Sequence, residues 1–161
     1  MEDSVTEKVV IRPPEYEDID RLLAIERRSF KSHRFTRKDF EYHLAHPSSI
    51  FVVAESAGQV VGYIAGVIYH GTRSKVARIY SMAVLPKWRN AGIGSLFLKH
   101  FERAAAKRAA YSATLEVRKT NRKAIDLYRR FGYKVERVLP DYYASGSDGL
   151  RMRKSLNSGR S

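Results

Sequence analysis

Apolar positions along the chain change their period several times, and each change marks an element. Val9, Val10 and Ile11 form a short β-prone run closed by Pro13-Pro14, which predicts an opening strand over 8–12. Ile19, Leu22, Leu23 and Phe30 then recur at helical spacing with charges between them. Thr36 and Asp39 stand three apart, the spacing of a capping pair, ahead of a second short helix carrying Phe40 and Leu44. Two β-rich runs, 50–54 and 60–69, flank Ser56-Ala57-Gly58-Gln59 and predict a hairpin. After the turn Gly71-Thr72-Arg73-Ser74, the run 77–85 reads as a strand that stops at Pro86. The next helix puts Ile93, Leu96, Phe97, Phe101, Ala104 and Ala105 on one side, with Lys99, Arg103 and Lys107 on the other. Residues 112–118 alternate, setting Leu115 and Val117 against Thr114, Glu116 and Arg118. Asn121 is placed to cap a helix with Ala124, Leu127, Tyr128 and Phe131 on its inner stripe and Gly132 as its stop. Two closing runs, 133–139 and 150–152, flank the loop 140–149, and the tail 157–161 is expected to be disordered. The order predicts an α/β (α+β) fold: one domain over 1–156, a mixed central sheet of about seven strands, and about four helices on its two faces.

The stretch from Met82 to Ser95 carries the first chemistry. A strand passes through a basic loop into two glycines, Gly92 and Gly94, at a helix start. Unpaired N–H groups and the positive end of the helix dipole make such a start an anion site, and glycine lets a ligand come close. A Walker loop is excluded, since both its spacing and its lysine are missing. The dinucleotide fingerprint fits Gly92, Gly94 and a downstream Glu116, but its third glycine would be Phe97, too bulky for close strand and helix contact. What remains is Arg-x-x-Gly-x-Gly, made by Arg89, Gly92 and Gly94. An ordinary glycine-rich turn capping a helix stays open as the plain alternative.

Composition narrows the classes. The chain has 161 residues and no cysteine, which excludes disulfides, thiolate metal sites and a cysteine acyl carrier. No apolar run approaches the ~18 residues of a membrane span, and the acidic start Met1-Glu2-Asp3-Ser4 lacks an apolar signal core. A soluble, cytoplasmic protein is therefore expected. The net charge of +13 is uneven. Residues 1–70 hold 9 Lys and Arg against 11 Asp and Glu, a net of −2, and residues 71–161 hold 21 against 6, a net of +15. A basic half suits an anionic partner, whether a phosphorylated cofactor, nucleic acid or the ribosome, although a solvated surface explains most such charge. His43, His46, His70 and His100 lack metal-ligand spacing and read as surface or packing residues, so no metal is expected.

A second motif joins the first. Leu115-Glu116-Val117-Arg118 is followed by Asn121, Ala124, Leu127-Tyr128 and Phe131-Gly132-Tyr133. With the glycine loop, this run resembles the GNAT acetyltransferases, in particular their ribosomal-protein alanine N-acetyltransferase (RimI-type) branch, over residues 77–143. The resemblance implies the GNAT fold and acetyl-CoA as co-substrate. It implies that the backbone of Met82, Ala83 and Val84 pairs with the pantetheine arm. Arg89, Asn90, Ala91, Gly92, Ile93, Gly94 and Ser95 would hold the pyrophosphate. Asn121, with Ala124 and Tyr128 on the same helix, would complete the cofactor contacts, Asn121 serving equally as a helix cap. Glu116 becomes the general base and Tyr128 the general acid, with Phe35, Tyr142 and Tyr143 beside Glu116 along the acceptor groove. Tyr133 departs from the branch's usual Phe, and 71–78 is a basic, insertion-like turn.

Glu116 also stands out without the family. A carboxylate on a central strand is costly unless it is paired or used, and a bridge to Arg118 or another cation is the plain alternative. Tyr128 could equally be a core tyrosine, and Tyr142-Tyr143 could close the core. Direct acetyl transfer in a ternary complex to a protein or peptide N-terminus is the leading expectation. Transfer to a lysine or a small amine, and a non-catalytic basic module that binds CoA or nucleic acid, are the alternatives.

Overall fold

The capping signals fall at real helix starts. Thr36 Oγ1 accepts the Asp39 N–H at 3.2 Å while the Asp39 carboxylate accepts the Thr36 N–H at 2.7 Å, a reciprocal box that opens the helix beginning at Arg37. Asn121 Oδ1 likewise accepts the Ala124 N–H at 3.2 Å and opens the helix beginning at Arg122. Ala57 and Gly58 both hold left-handed backbone (φ 52° and 80°), the geometry that lets a two-residue hairpin match strand twist. These local choices fix the elements of the computed structural model, which describes residues 8–143 and 146–156. The tail 157–161 lies outside the described residues.

In chain order the elements are β1 (Val9–Arg12), α1 (Ile19–Ser29), α2 (Arg37–Ala45), β2 (Ser49–Ser56), β3 (Gln59–His70), β4 (Lys75–Val84), α3 (Ile93–Lys107), β5 (Ala110–Arg118), α4 (Arg122–Arg130), β6 (Lys134–Leu139) and β7 (Gly149–Ser155). The seven strands form one sheet in the order β1-β2-β3-β4-β5-β7-β6. β4 and β5 run parallel with α3 as their crossover, whereas β5 and β7 are antiparallel with Glu116 opposite Arg151. This is the mixed α+β architecture that the apolar pattern predicts. Among the described residues, no helix is long and apolar enough to cross a membrane.

The described residues group into two compact units: those of Met1–Val67 with Ser81–Phe101, and those of Ile68–Tyr80 with Glu102–Ser161. In the first, Leu22, Ile25, Phe40, Tyr63, Phe97 and Leu98 are sealed from solvent. Each large apolar side chain so buried contributes about 1.5–3 kcal/mol. In the second, Ala113, Leu115, Tyr133 and Met152 form the comparable centre.

Two inner stripes differ from expectation. On α3, Leu96 is 43% exposed and Leu98 is buried instead. The buried arc runs through Ile93, Phe97, Phe101 and Ala105, and at ~100° per residue Leu96 points about 120° from its centre while Leu98 lies at its edge, about 20° past Ala105. On α4, the buried positions are Ile125 and Tyr128, with Ala124, Leu127 and Phe131 only half-buried.

Candidate active site

The donor side of the expected site lies in the first unit. β4 ends at Val84, Leu85 donates its N–H to the Val61 carbonyl at 2.9 Å, and one turn of 3₁₀ helix (Pro86–Trp88) follows. Arg89 Nε donates back to the Val84 carbonyl at 2.7 Å, tying the glycine loop to the strand that feeds it. Asn90 and Gly92 are both left-handed, with φ of 64° and 84°. A Cβ at Gly92 would meet nothing within 4 Å, so this side of the exposed loop is open to an approaching ligand. The first helical bond runs from the Leu96 N–H to the Gly92 carbonyl at 3.0 Å, which leaves the amides of Ile93, Gly94 and Ser95 pointing out of the helix start. Oriented amides, a dipole end and an unfilled cradle fit the pyrophosphate of acetyl-CoA. Met82 and Val84 are half-buried and Ala83 is buried. Their backbone is backed by β3, where a Cβ on Gly62 would sit 2.7 Å from the Ala83 carbonyl oxygen.

The same unit holds a cluster that sequence reasoning missed. Glu26 is 1% exposed, and its Oε1 accepts the Tyr63 hydroxyl at 2.5 Å. Its Oε2 accepts the Phe35 N–H at 2.7 Å. Tyr63 Oη also lies 2.6 Å from Ser81 Oγ, one residue ahead of Met82. Burial pushes the Glu26 carboxyl above its usual range and the Tyr63 phenol well above its own. The sequence did hold a signal, because Glu26 follows Leu22 by four and Ile19 by seven, on the stripe that α1 buries. Phe35 is held twice over, by its amide on Glu26 and by its ring stacked on His43 at 5.3 Å. His43 is 3% exposed, the packing histidine that was expected, and burial lowers its pKa to about 4.

In the second unit, Glu116 points from β5 away from Leu115 and Val117, as the alternation requires. Its oxygens are fully engaged. Arg78 reaches Oε1 through Nε at 3.0 Å and Nη2 at 2.9 Å, and Arg151 reaches Oε2 through Nε at 2.9 Å. The Glu116 side chain is 8% exposed and the two arginines 32% and 30%. The bridging cations are therefore not Arg118, whose guanidinium stacks instead over the Tyr143 ring at 4.3 Å. Cross-strand register carried this signal, since Arg151 and Arg153 alternate with Leu150 and Met152 and so share the face of Glu116.

Tyr128 is 8% exposed, and burial, helped by the nearby Tyr143, pushes its phenol up to about 12. Asn121 and Ala124 meet at the α4 start through the cap bond. Tyr142 is 41% exposed and meets Tyr143 edge-on at 5.0 Å. Tyr142 does not close the core, while Tyr143 is half-buried, with its phenol pushed up to about 12 chiefly by burial.

With this geometry in place, comparison with known proteins is direct. Residues 16–133 match the Acetyltransferase (GNAT) family. The chain is 35% identical over 157 residues to an N-alpha-acetyltransferase of Sulfurisphaera tokodaii, covering 91% of this chain and 92% of that one. It is 32% identical to the N-terminal acetyltransferase A complex catalytic subunit NAA10 of Arabidopsis thaliana, covering 86% and 74% respectively. The crystal structure of Ard1 from Thermoplasma volcanium superposes with a TM-score of 0.82 at 32% identity, over 91% of this chain and 97% of that one. The glycine loop at a helix start, the strand that feeds it and these relatives agree on one conclusion: the chain belongs to the GNAT family of acetyltransferases.

Proposed function

We infer that this acetyl-CoA-dependent acyltransferase, read as one domain over 1–156, moves the acetyl group to the α-amine of a protein or peptide N-terminus. What carries the proposal is the cradle at Asn90–Ser95, whose left-handed Asn90 and Gly92 leave open space before three outward amides. The relatives named as N-alpha-acetyltransferases support the acceptor class.

The roles follow from the chemistry. The amides of Ile93, Gly94 and Ser95 would bind the pyrophosphate, while the backbone of Met82–Val84 would hold the pantetheine arm like an added strand. Asn121 uses its carbonyl oxygen on its own helix, so its amide N–H₂ would be the group offered to the cofactor. An α-amine with a pKa near ~8 is roughly a tenth free base at neutral pH, against below about one part in a thousand for lysine. A modest base therefore suffices for an N-terminus. Glu116 is the assigned base, and Oε2, which accepts one bond from Arg151 against two from Arg78 on Oε1, is the oxygen with a lone pair left for the proton. Tyr128, at about 12, is a far weaker acid than a thiol near ~8.5, so its hydroxyl would steady the departing sulfur as a hydrogen-bond donor. With no cysteine in the chain, a thiol acyl-enzyme is excluded and direct transfer in a ternary complex is the simplest course. Phe35, Tyr142 and Tyr143 would contact the acceptor peptide. The +15 half would favour work beside ribosomal RNA, in the cytoplasm, where new N-termini emerge.

The test is release of CoA thiol with N-terminal peptides, lysine peptides and small amines, alongside the variant Gly92→Glu. Turnover selective for free N-termini is expected, with acetyl-CoA binding abolished in the variant by clash and charge repulsion. Wild-type protein that releases no thiol with any amine, or a variant with unchanged affinity by calorimetry, overturns the proposal.

A further inference from the structure

Glu26 is the most deeply buried carboxylate among the described residues, and no role assigned to Glu116 or Tyr128 uses it. Its hydrogen bonds have a direction. The Tyr63 hydroxyl donates to Glu26 Oε1, so its single proton is committed, and the 2.6 Å contact with Ser81 must be made by the Ser81 hydroxyl donating to Tyr63 Oη. The chain of donors therefore runs from Ser81 through Tyr63 to Glu26. Its outer end is a half-buried serine whose lone pairs are left for a further donor, next to the Met82–Val84 backbone.

We propose that Ser81, Tyr63 and Glu26 form a proton relay for acetyl transfer, with Glu26 as its terminal acceptor. The relay rests on the acetyl-transfer reading above and goes beyond it. Glu116 takes the ammonium proton that most N-termini carry and returns it to solvent. Then, as the neutral amine nitrogen bonds to the thioester carbonyl carbon and the carbon–sulfur bond breaks, the nitrogen gives its second proton to Ser81 Oγ. The Ser81 proton passes to Tyr63 Oη, and the Tyr63 proton passes to Glu26 Oε1. The sulfur leaves with the bonding pair and takes a proton from solvent. Glu26 is left as the neutral acid and later returns its proton by the same route, so atoms and charge balance.

The surroundings suit that task. The groups facing Glu26 are the Tyr63 hydroxyl from β3, the Phe35 N–H and the Arg34 charge from the α1–α2 connection, and Asp39 from α2. Tyr63, Phe35 and Arg34 favour the ionised form, but burial outweighs them and, with Asp39, raises the proton affinity of the carboxylate. A base whose pKa moves up toward working pH is a better proton acceptor. Glu26 touches no substrate itself, so it acts through Tyr63 and Ser81.

Glu26→Gln tests the relay without dismantling it. A glutamine can turn its oxygen to the Phe35 N–H and its N–H₂ to Tyr63 Oη while Tyr63 donates to Ser81, which reverses the chain and removes only the proton acceptor. Wild type, Glu26→Gln and Ser81→Ala are compared for kcat, KM for acetyl-CoA and the pH dependence of kcat. Expected is a fall in kcat of about 100-fold or more for Glu26→Gln, with KM for acetyl-CoA within about threefold and a rate that climbs with hydroxide through pH 9. Ser81→Ala should fall similarly, and the double variant should be no slower than the worse single one. Wild-type turnover with Glu26→Gln within threefold of it at every pH overturns the relay alone. So does a variant that loses acetyl-CoA affinity at unchanged kcat. Absence of wild-type turnover overturns relay and acetyl transfer together.

Discussion

The fold takes two carboxylates out of bulk water and holds them in opposite ways. Glu116, in the second unit, is neutralised by charge, with Arg78 on one oxygen and Arg151 on the other. Glu26, in the first unit, meets neutral donors within hydrogen-bond reach among the described residues, the Tyr63 hydroxyl and the Phe35 amide. His43 belongs to the same regime as Glu26, buried against Phe35 and Phe51, with burial outweighing the nearby Asp39 in setting its pKa. Burial moves the pKa of Glu26 and His43. Pairing fixes the geometry of Glu116. The difference teaches that the unit carrying the strongest charge need not carry the most responsive acid or base.

The largest effect should come from breaking the pairing. Glu116→Ala would leave two guanidiniums facing each other without their shared acceptor, and we expect a loss of about 3 kcal/mol, somewhat below a fully buried pair because both arginines reach solvent. For a chain of this size that is a melting temperature lower by about 6–10 °C. Part of the loss should be screened away at high salt, whereas any difference between wild type and Glu26→Gln should be indifferent to salt. Calorimetry of both variants across salt concentration checks the contrast. A salt-independent loss in Glu116→Ala would break it.

Next comes pH. The folded-state pKa of His43 is lowered, to about 4, so its share of stability is fully present above the ordinary histidine value of ~6.5 and is lost as pH falls toward 4. The share amounts to roughly 3 kcal/mol at its limit. Glu26 runs the other way: its pKa is raised, so its share is present below the usual carboxylate range and is lost as pH rises through the folded value. His43→Phe should therefore flatten the acid limb of unfolding free energy between pH 6.5 and 4 and expose the opposite slope of Glu26. Urea titrations at stepped pH measure both, and an unchanged acid limb in His43→Phe would remove His43 from the first unit's burial regime.

How much of this was legible in the sequence follows from the same contrast. The cap boxes, the hairpin turn, the crossover helix and the glycine cradle are local, written in residues a few positions apart, and each appears where the pattern places it. Glu116 was conspicuous because a charge interrupts an apolar strand. Glu26 was not, because charged residues are ordinary on an amphipathic helix such as α1, which also carries Asp20, Arg21, Arg27 and Arg28, and only its phase on the buried stripe set it apart. Tyr63 hid in the buried apolar run of β3, and Arg78 and Arg151 became partners of Glu116 only through the registers of β4, β5 and β7. Long-range register is what a periodicity cannot supply.

The smallest effect concerns Asn121, where a structural bond and a cofactor contact can be separated. Serine caps helices as well as asparagine does, so Asn121→Ser should keep the bond to the Ala124 N–H and change stability by less than about 0.5 kcal/mol. It removes the side-chain N–H₂, the only part of Asn121 that the cap leaves over for pantetheine. We expect a several-fold rise in KM for acetyl-CoA with an unchanged melting temperature, read from steady-state kinetics and calorimetry on one preparation. A neutral group that affects binding without affecting stability would add a third regime beside burial and pairing, in which one side chain serves fold and ligand through different atoms. An unchanged KM would assign Asn121 to the helix alone and leave the donor contacts to the backbone of the first unit.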